Sequence, residues 1–261
     1  MKTWRLIDTG IGTASYNMAV DEALLSNFKA ADMPILRLYR WKPSLSLGRF
    51  SNINKTLNME IISEHNIPYV RRMSGGGVLI HGGDLSYSLI LSRETLKDIS
   101  VKESYSFLCK FLIEIYTKLG LNAEFAYDLN LEGSKSDICM VSNEPYDIII
   151  DGKKMGGNAQ RYTSKTLFQH GSIPINIDTS TFKDVFLEES GLNTVATLDR
   201  IGIDIMHKQL AKLLAESFKE SFEVELESDT LSLCEQKSTD KLLKHKYSQK
   251  RWNIDAKHDA N

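Results

Sequence analysis

The sequence is poor in cysteine and proline and has no long apolar run, and each lack removes a class of answer. Three cysteines, Cys109, Cys139 and Cys234, stand 30 and 95 positions apart in 261 residues. There is no Cys-x-x-Cys and no paired histidine spacing, which excludes a zinc ribbon and a disulfide-stapled scaffold. Sparse thiols suit a reducing compartment. No apolar stretch follows Met1-Lys2-Thr3-Trp4-Arg5 as it would in a signal peptide, so a cytoplasmic location is expected. No run approaches the roughly 20 apolar residues that cross a bilayer. Charge of one sign is missing too: 32 Lys and Arg against 34 Asp and Glu leave −2. Neither nucleic acid nor an anionic membrane surface is therefore an expected partner. With five prolines, no internal repeat and no low-complexity tract, nothing reads as a linker. Gly10-Ile11-Gly12 lacks the third glycine of a dinucleotide loop, with Ser15 in its place, and no Gly-Lys-Ser/Thr is present, so nucleotide loops of those two kinds are excluded.

What is there is an ordinary globular balance, 42% apolar and 25% charged, in a length that suits one large domain with a small appendage. The rhythm predicts helices over about Tyr16 to Phe28, capped by Ser15, and over Asn54 to His65, Lys102 to Leu119, Met206 to Phe222 and Thr230 to Tyr247. A strand is expected at Ile35 to Arg40, where apolar and cationic residues alternate as in a half-buried strand, and Pro43 to Gly48 reads as a turn feeding another short strand. Others are expected at Tyr69 to Arg72, Leu85 to Leu91, Tyr146 to Ile150 and Leu167 to Ile175. Asp151-Gly152 signals a type I′ hairpin with Lys153-Lys154-Met155 as its return. Frequent hairpins without a regular β-α-β alternation favour an α+β fold.

Five places carry residue types suited to chemistry. Arg71-Arg72-Met73-Ser74-Gly75-Gly76-Gly77 brings three glycines behind two cations. Such a loop lets backbone N–H groups form a nest for an anion or carbonyl, or is a plain hairpin loop with solvated arginines. His81, in His81-Gly82-Gly83-Asp84, either orients a substrate or is a hydrogen-bonded residue at the start of a strand. Cys139 lies among polar neighbours, where a cation could activate its thiolate, whereas Cys109 and Cys234 read as structural. In Lys153-Lys154-Met155-Gly156-Gly157-Asn158-Ala159-Gln160, strand alternation turns Lys153 outward and Lys154 inward, where it can bond a carbonyl or phosphate oxygen. His170, inside an apolar strand, is a structural hydrogen-bonder or a pocket residue. No metal-ligating cluster is visible.

Taken together and in this order, the pieces resemble the biotin/lipoate A/B protein ligase family. Asn17-Met18-Ala19-Val20-Asp21-Glu22-Ala23, Arg71 to Gly77, His81 and Asp151 to Gln160 carry the likeness, which extends to Lys246-Tyr247-Ser248 and Trp252-Asn253. Members of the family attach lipoate or octanoate to a lysine of a lipoyl carrier domain. The segment from Cys139 through Pro145-Tyr146-Asp147 to Lys154 looks like the region around the catalytic cysteine of the octanoyltransferases. The spacing from His81 to Leu85 is also theirs, and Glu144-Pro145-Tyr146-Asp147 stands where many ligases have Gly-Arg-Asn-Asp. Against these, Gly75-Gly76-Gly77 looks like the ligase loop, and Gly82 stands where an Asp usually follows the histidine.

The resemblance implies an α+β, class II synthetase-like fold: a mixed, mostly antiparallel sheet covered by helices, with a narrow apolar tunnel for the acyl chain. The catalytic domain would be residues 1–205, with a C-terminal helical extension of the same domain over 206–261. It implies Cys139 and Lys154 as catalytic residues. Substrate would be bound by Arg72, Ser74, Gly75, Gly76, Gly77, His81, Gly157, Asn158, Ala159 and His170. The expected reaction moves an octanoyl group from acyl carrier protein, through acyl-Cys139, to a lipoyl carrier domain of a 2-oxoacid dehydrogenase E2 or the glycine cleavage H protein, with no cofactor. An ATP-dependent lipoate–protein ligase, bringing Mg²⁺ with ATP and leaving Cys139 incidental, is the alternative, and a non-catalytic acyl-binding module is a further one. Each buried CH₂ of the chain would contribute about 0.8 kcal/mol, so a closed tunnel can select length.

Overall fold

The computed structural model describes residues 2–129, 145–187 and 196–256. In chain order the strands and helices are β1 (Lys2–Gly12), α1 (Ala14–Asn27), β2 (Ile35–Trp41), β3 (Ser44–Leu47), α2 (Ile53–Thr56), α3 (Met59–Glu64), β4 (Tyr69–Arg71), β5 (Val78–His81), β6 (Asp84–Ser92), α4 (Val101–Lys118), β7 (Ala123–Phe125), β8 (Ile148–Ile150), β9 (Lys153–Lys154), β10 (Gly157–Tyr162), β11 (Thr166–Pro174), α5 (His207–Phe222), β12 (Val224–Asp229), α6 (Leu233–Leu242) and α7 (Lys250–Asn253). The main sheet has the order β10-β11-β6-β2-β1-β12. It is antiparallel from β10 to β2 and parallel from β2 through β1 to β12. A smaller sheet, β4-β3-β5, and a hairpin sheet, β7-β8-β9, complete the α+β architecture.

Period-two alternation sorts the main sheet into two faces. Leu36, Leu38, Leu85, Leu89 and Leu91 turn one way, into a core with Phe111 and Ile115 of α4 and Leu210, Leu214 and Phe218 of α5. Ile7, Ile35, Ile90 and Phe168 turn the other way, against Val20, Leu24 and Leu25 of α1. The alternation of β2 suggests a half-buried strand, but both of its faces are covered. Arg37, expected toward solvent, is fully buried. Its guanidinium donates to Asp21 Oδ1 at 2.6 Å, to the Asn17 carbonyl at 3.0 Å and to Thr9 Oγ1 at 2.9 and 3.1 Å, and it lies 3.9 Å from the Tyr39 ring centroid. The carboxylate on α1 is what allows the cation inside, because a buried charge needs both a counter-charge and hydrogen bonds.

Several boundaries differ from the expectations, each for a local reason. Helix α1 begins two residues earlier because Thr13 caps it, accepting from Tyr16 N, while Ser15 donates to the Tyr247 carbonyl. The helix expected over Asn54 to His65 is two, because extended Leu57 bridges Phe186 and Asn58 starts a fresh N-cap. Both residues of the Asp151-Gly152 turn have positive φ, 49° and 74°, as a type I′ turn requires. The segment expected to be helical after 206 also holds β12, an edge strand pairing with β1, and α6 starts at Leu233 behind a Ser232–Glu235 capping box. The closing segment then returns to α1, where Lys246 Nζ lies 2.6 and 2.8 Å from the Glu22 carboxylate.

The Arg37–Asp21 pair gives the first prediction. Arg37→Met would leave the Asp21 carboxylate buried without its main counter-charge. Urea unfolding of this variant should show a loss of about 3–5 kcal/mol against the wild type. A loss under about 1 kcal/mol would mean that the pair does not hold α1 to the sheet.

Candidate active site

The polar residues of the α1-facing sheet surface do not meet solvent. With the small sheet β4-β3-β5 they line a narrow, partly open cavity. The main sheet contributes Tyr39, Trp41, Ser86, His170 and Ser172, together with Gly157, Asn158 and Ala159. Ser46, Leu79 and His81 of the small sheet and Arg72 and Gly75 of the loop after it face them. The structure thus brings seven residues expected at the site into one cavity lining: Arg72, Gly75, His81, Gly157, Asn158, Ala159 and His170.

Ser74, Gly76 and Gly77 join this set through the loop itself, whose carbonyls are all held. Arg49 N donates to the Ser74 carbonyl, Ser51 Oγ to that of Gly76, and Gly48 N and Arg72 Nη2 to that of Gly77. Arg72 Nη2 also donates to the Gly75 carbonyl at 3.1 Å. By contrast, the N–H groups of Gly75, Gly76 and Gly77 make no hydrogen bond to any described residue. Gly48 is required for this packing, because a Cβ there would stand 1.6 Å from the Gly76 carbonyl oxygen. The alternative of a plain loop with solvated arginines fails at both positions, since both are buried. Arg71 turns away from the cavity and donates to the carbonyls of Gly48, Ser51, Trp252 and Ile254, so it fastens the C-terminal segment.

His81 keeps a carboxylate partner although Gly82 follows it. Asp84 Oδ2 lies 2.8 Å from its Nδ1, and Ser46 Oγ lies 2.8 Å from its Nε2. Asp84 also accepts from Gly82 N, Ser86 Oγ and Ser172 Oγ. Trp41 stacks on the imidazole with centroids 3.9 Å apart and donates from Nε1 to Ser86 Oγ. Burial alone would raise the Asp84 carboxyl. His81 and the surrounding donors outweigh it and hold the group below the usual carboxylate range. Sequence reasoning missed Ser46, Trp41, Ser86 and Ser172 as site residues; their parity on strands with a covered polar face was the available signal.

On the other side of the loop, His170 Nε2 is 2.6 Å from Ser74 Oγ and its Nδ1 is 3.5 Å from Asp21 Oδ2. Of the two lysines of the hairpin return, Lys153 is exposed and Lys154 buried, as alternation predicts. Lys154 Nζ is 2.6 Å from Asp147 Oδ2, a partner not foreseen. Lys154 is not part of the cavity lining; it ends β9, and Gly157 of that lining begins β10. Cys139 lies outside the described residues. Cys109 is fully buried, and burial pushes its thiol up to about 12, so it holds essentially no thiolate at neutral pH. Cys234 is exposed on α6, not packed inside as a structural cysteine would be. No group of three metal-ligating side chains occurs among the described residues, and no described helix is long and apolar enough to cross a membrane.

His170 gives a pH prediction. Burial, with help from Arg72 and His81, lowers its pKa below the ordinary 6.5 in spite of Asp21. The unfolded chain therefore binds the proton more readily, and this contribution to stability is complete above about 6.5 and declines as pH falls below it. Partly buried His207 shifts the same way, so the comparison must isolate His170. The urea midpoint should drop between about pH 7.5 and about pH 5.5, and less steeply in His170→Gln. Equal slopes in the two proteins would refute the assignment.

Comparison with known proteins agrees with this geometry. Residues 13–225 match the family described as lipoyl protein ligase A/B catalytic domain. The chain is 31% identical to an octanoyltransferase LipM of Bacillus subtilis, over 97% of this chain and 98% of that protein. It is 32% identical to an octanoyltransferase LipM of Kyrpidia tusciae, over 97% and 99%. A crystal structure of lipoate-protein ligase A bound with ATP superposes with a TM-score of 0.86 at 25% identity, covering 98% of this chain and all of that one. Family match, near full-length identity and shared fold agree, and the chain belongs to the lipoyl protein ligase A/B catalytic domain family.

Proposed function

We propose that this protein transfers an octanoyl group from the thioester of acyl carrier protein to the lysine of a lipoyl carrier domain, through an acyl-Cys139 intermediate. The observation that carries this reading is the 30–32% identity, across nearly the whole of both chains, to proteins named octanoyltransferase. The first step is thioester exchange. The Cys139 thiolate attacks the acyl carbonyl carbon, the carrier thiolate leaves, and that thiolate takes up a proton. In the second step the acceptor lysine, as the neutral amine, attacks acyl-Cys139; the C–S bond breaks, an amide forms and the amine proton passes to solvent or a basic side chain. Neither step needs ATP, since the donor is already activated. Splitting the transfer in this way is the general benefit of a covalent intermediate.

Lys154 is the cation assigned to the developing charge. Its pairing with Asp147 holds the ammonium at a buried position, and a fixed cation both favours a nearby thiolate and stabilises an oxyanion. The unspent N–H groups of Gly75, Gly76 and Gly77 are suited to border the carbonyl. The cavity takes the acyl chain, and Gly157 supports this use: a Cβ there would come within 3.6 Å of Leu79, so glycine keeps the space between the two open.

Intact-mass analysis of a lipoyl domain incubated with octanoyl-acyl carrier protein, without ATP, tests the reading. Wild type should add one octanoyl group and Cys139→Ala none. Modification only with free lipoate and ATP, unaffected by Cys139→Ala, would make this protein a ligase.

Lys154→Ala should lower the transfer rate by about a hundredfold or more. Lys154→Arg should restore little of it, because a planar guanidinium does not replace a compact ammonium. Stopped-flow or quench measurement of acyl-enzyme formation reads both, and a fall below about threefold in Lys154→Ala would remove the lysine from the mechanism.

A further inference from the structure

Three adjacent glycines cannot order themselves. They have no side chains to pack, and each loses more conformational freedom on folding than any other residue. The order of the Ser74–Gly77 loop must come from polar contacts made to it; beside those from Gly48, Arg49 and Ser51, two sets trace back to buried carboxylates on opposite sides. On one side a continuous chain runs from Asp84 through His81 and Ser46 to Arg72: 2.8 Å from Asp84 to His81, 2.8 Å from His81 to Ser46, and 2.7 Å from Ser46 Oγ to Arg72 Nη1. Arg72 ends the chain on the carbonyls of Gly75 and Gly77. On the other side Asp21 and His170 reach the hydroxyl of Ser74, the first residue of the same loop.

The polarity of the first chain is consistent throughout. With Asp84 taking the proton of His81 Nδ1, Nε2 is left as an acceptor. Ser46 can then donate to Nε2 while accepting from Arg72. Both arrangements have the connectivity of a carboxylate–histidine–serine triad, but Ser46 is fully buried in mid-strand and shares its oxygen with a cation. A hydroxyl placed in this way is a link, not a nucleophile.

We propose that Ser46 and Ser74 are positioning residues: they couple two buried carboxylate–imidazole pairs to the two ends of the glycine-rich loop and so fix its N–H groups for the reacting carbonyl. The last clause rests on the transferase reading; the fixing of the loop does not. The test therefore has two readouts, ¹⁵N relaxation of the loop glycines and pre-steady-state acyl transfer. It uses the full chain with Ser46→Ala, Ser74→Ala and, as control, Ser217→Ala. Ser217 is a buried serine on α5 whose hydroxyl makes no hydrogen bond among the described residues.

In wild type and Ser217→Ala the amides of Gly75, Gly76 and Gly77 should have order parameters near about 0.85. In each of the other variants they should fall toward about 0.6, with helix amides unchanged. The rate constant of acyl-enzyme formation should drop about tenfold or more in Ser46→Ala and Ser74→Ala, with KM for the donor within about twofold. Unchanged glycine order parameters, or a loss of order spread over the whole chain, would overturn the proposal. Loosened glycines with unchanged rate and KM would overturn its catalytic clause. If wild type forms no acyl-enzyme, the transferase reading fails while the relaxation data still decide whether the relays hold the loop.

Discussion

The carboxylate of Asp21 is where the architecture converges. It accepts from Arg37 of β2 and Ser88 of β6 at 2.6 Å each and from Tyr39 of β2 at 3.2 Å, and His170 of β11 stands 3.5 Å away. One residue of α1 thereby fixes the height and rotation of the helix against three adjacent strands. Burial works against its charge, but Arg37, His170 and Ser88 prevail, and the carboxyl stays below the usual range. An apolar residue in its place would leave Arg37 buried without a counter-ion, and an amide would supply no charge. The site face of the sheet is therefore specified electrostatically before any ligand is considered.

This constraint explains why some of the molecule is legible in the sequence and some is not. The leucine-rich face of β6 and the amphipathic α4 follow from apolar periodicity, and the hairpin from Asp151-Gly152, because hydrophobic burial and turn sterics act locally. Arg37 misleads, since alternation of apolar and cationic residues reads as a solvated face unless Asp21, 16 positions away, is known to meet it. The same limit hides Ser46, Ser86 and Ser172, which look like unremarkable strand serines until Asp84 and His81 gather them. β1 and β12 are missed for another reason. Lys2–Gly12 lacks clean alternation, and the acidic Val224–Asp229 strand lies at the sheet edge, exposed and charged as edge strands tend to be.

The candidate site divides in the same manner. Gly75 to Gly77, His81, Lys154 and Gly157 to Ala159 announce themselves by residue type and spacing. The difference between Arg71 and Arg72 does not. Both are buried and adjacent, yet one holds the glycine-rich loop and the other holds Trp252, Asn253 and Ile254. That second role lies 181 to 183 positions away in sequence, beyond the reach of any local pattern.

The two arginines also tie stability to function. Arg71 ends β4 and Arg72 follows it directly, so the clamp on the C-terminal segment and the support of the loop share one stretch of backbone. Trp252 Nε1 donates back to the Arg71 carbonyl and Asn253 Oδ1 accepts from Arg71 N, while Lys246 and Tyr247 anchor the same segment to Glu22, next to Asp21 on α1. The C-terminal segment thus closes a ring of polar contacts running from α1 to β4, beside the residues that hold the loop. Glycines that cannot order themselves lead away from the cavity wall at Gly75, and the buried charges around them, costly to desolvate, are placed where an apolar core could have packed. What such a core could not supply is direction: hydrogen bonds fix the orientation of the loop's peptide groups, whereas hydrophobic contact fixes only their proximity.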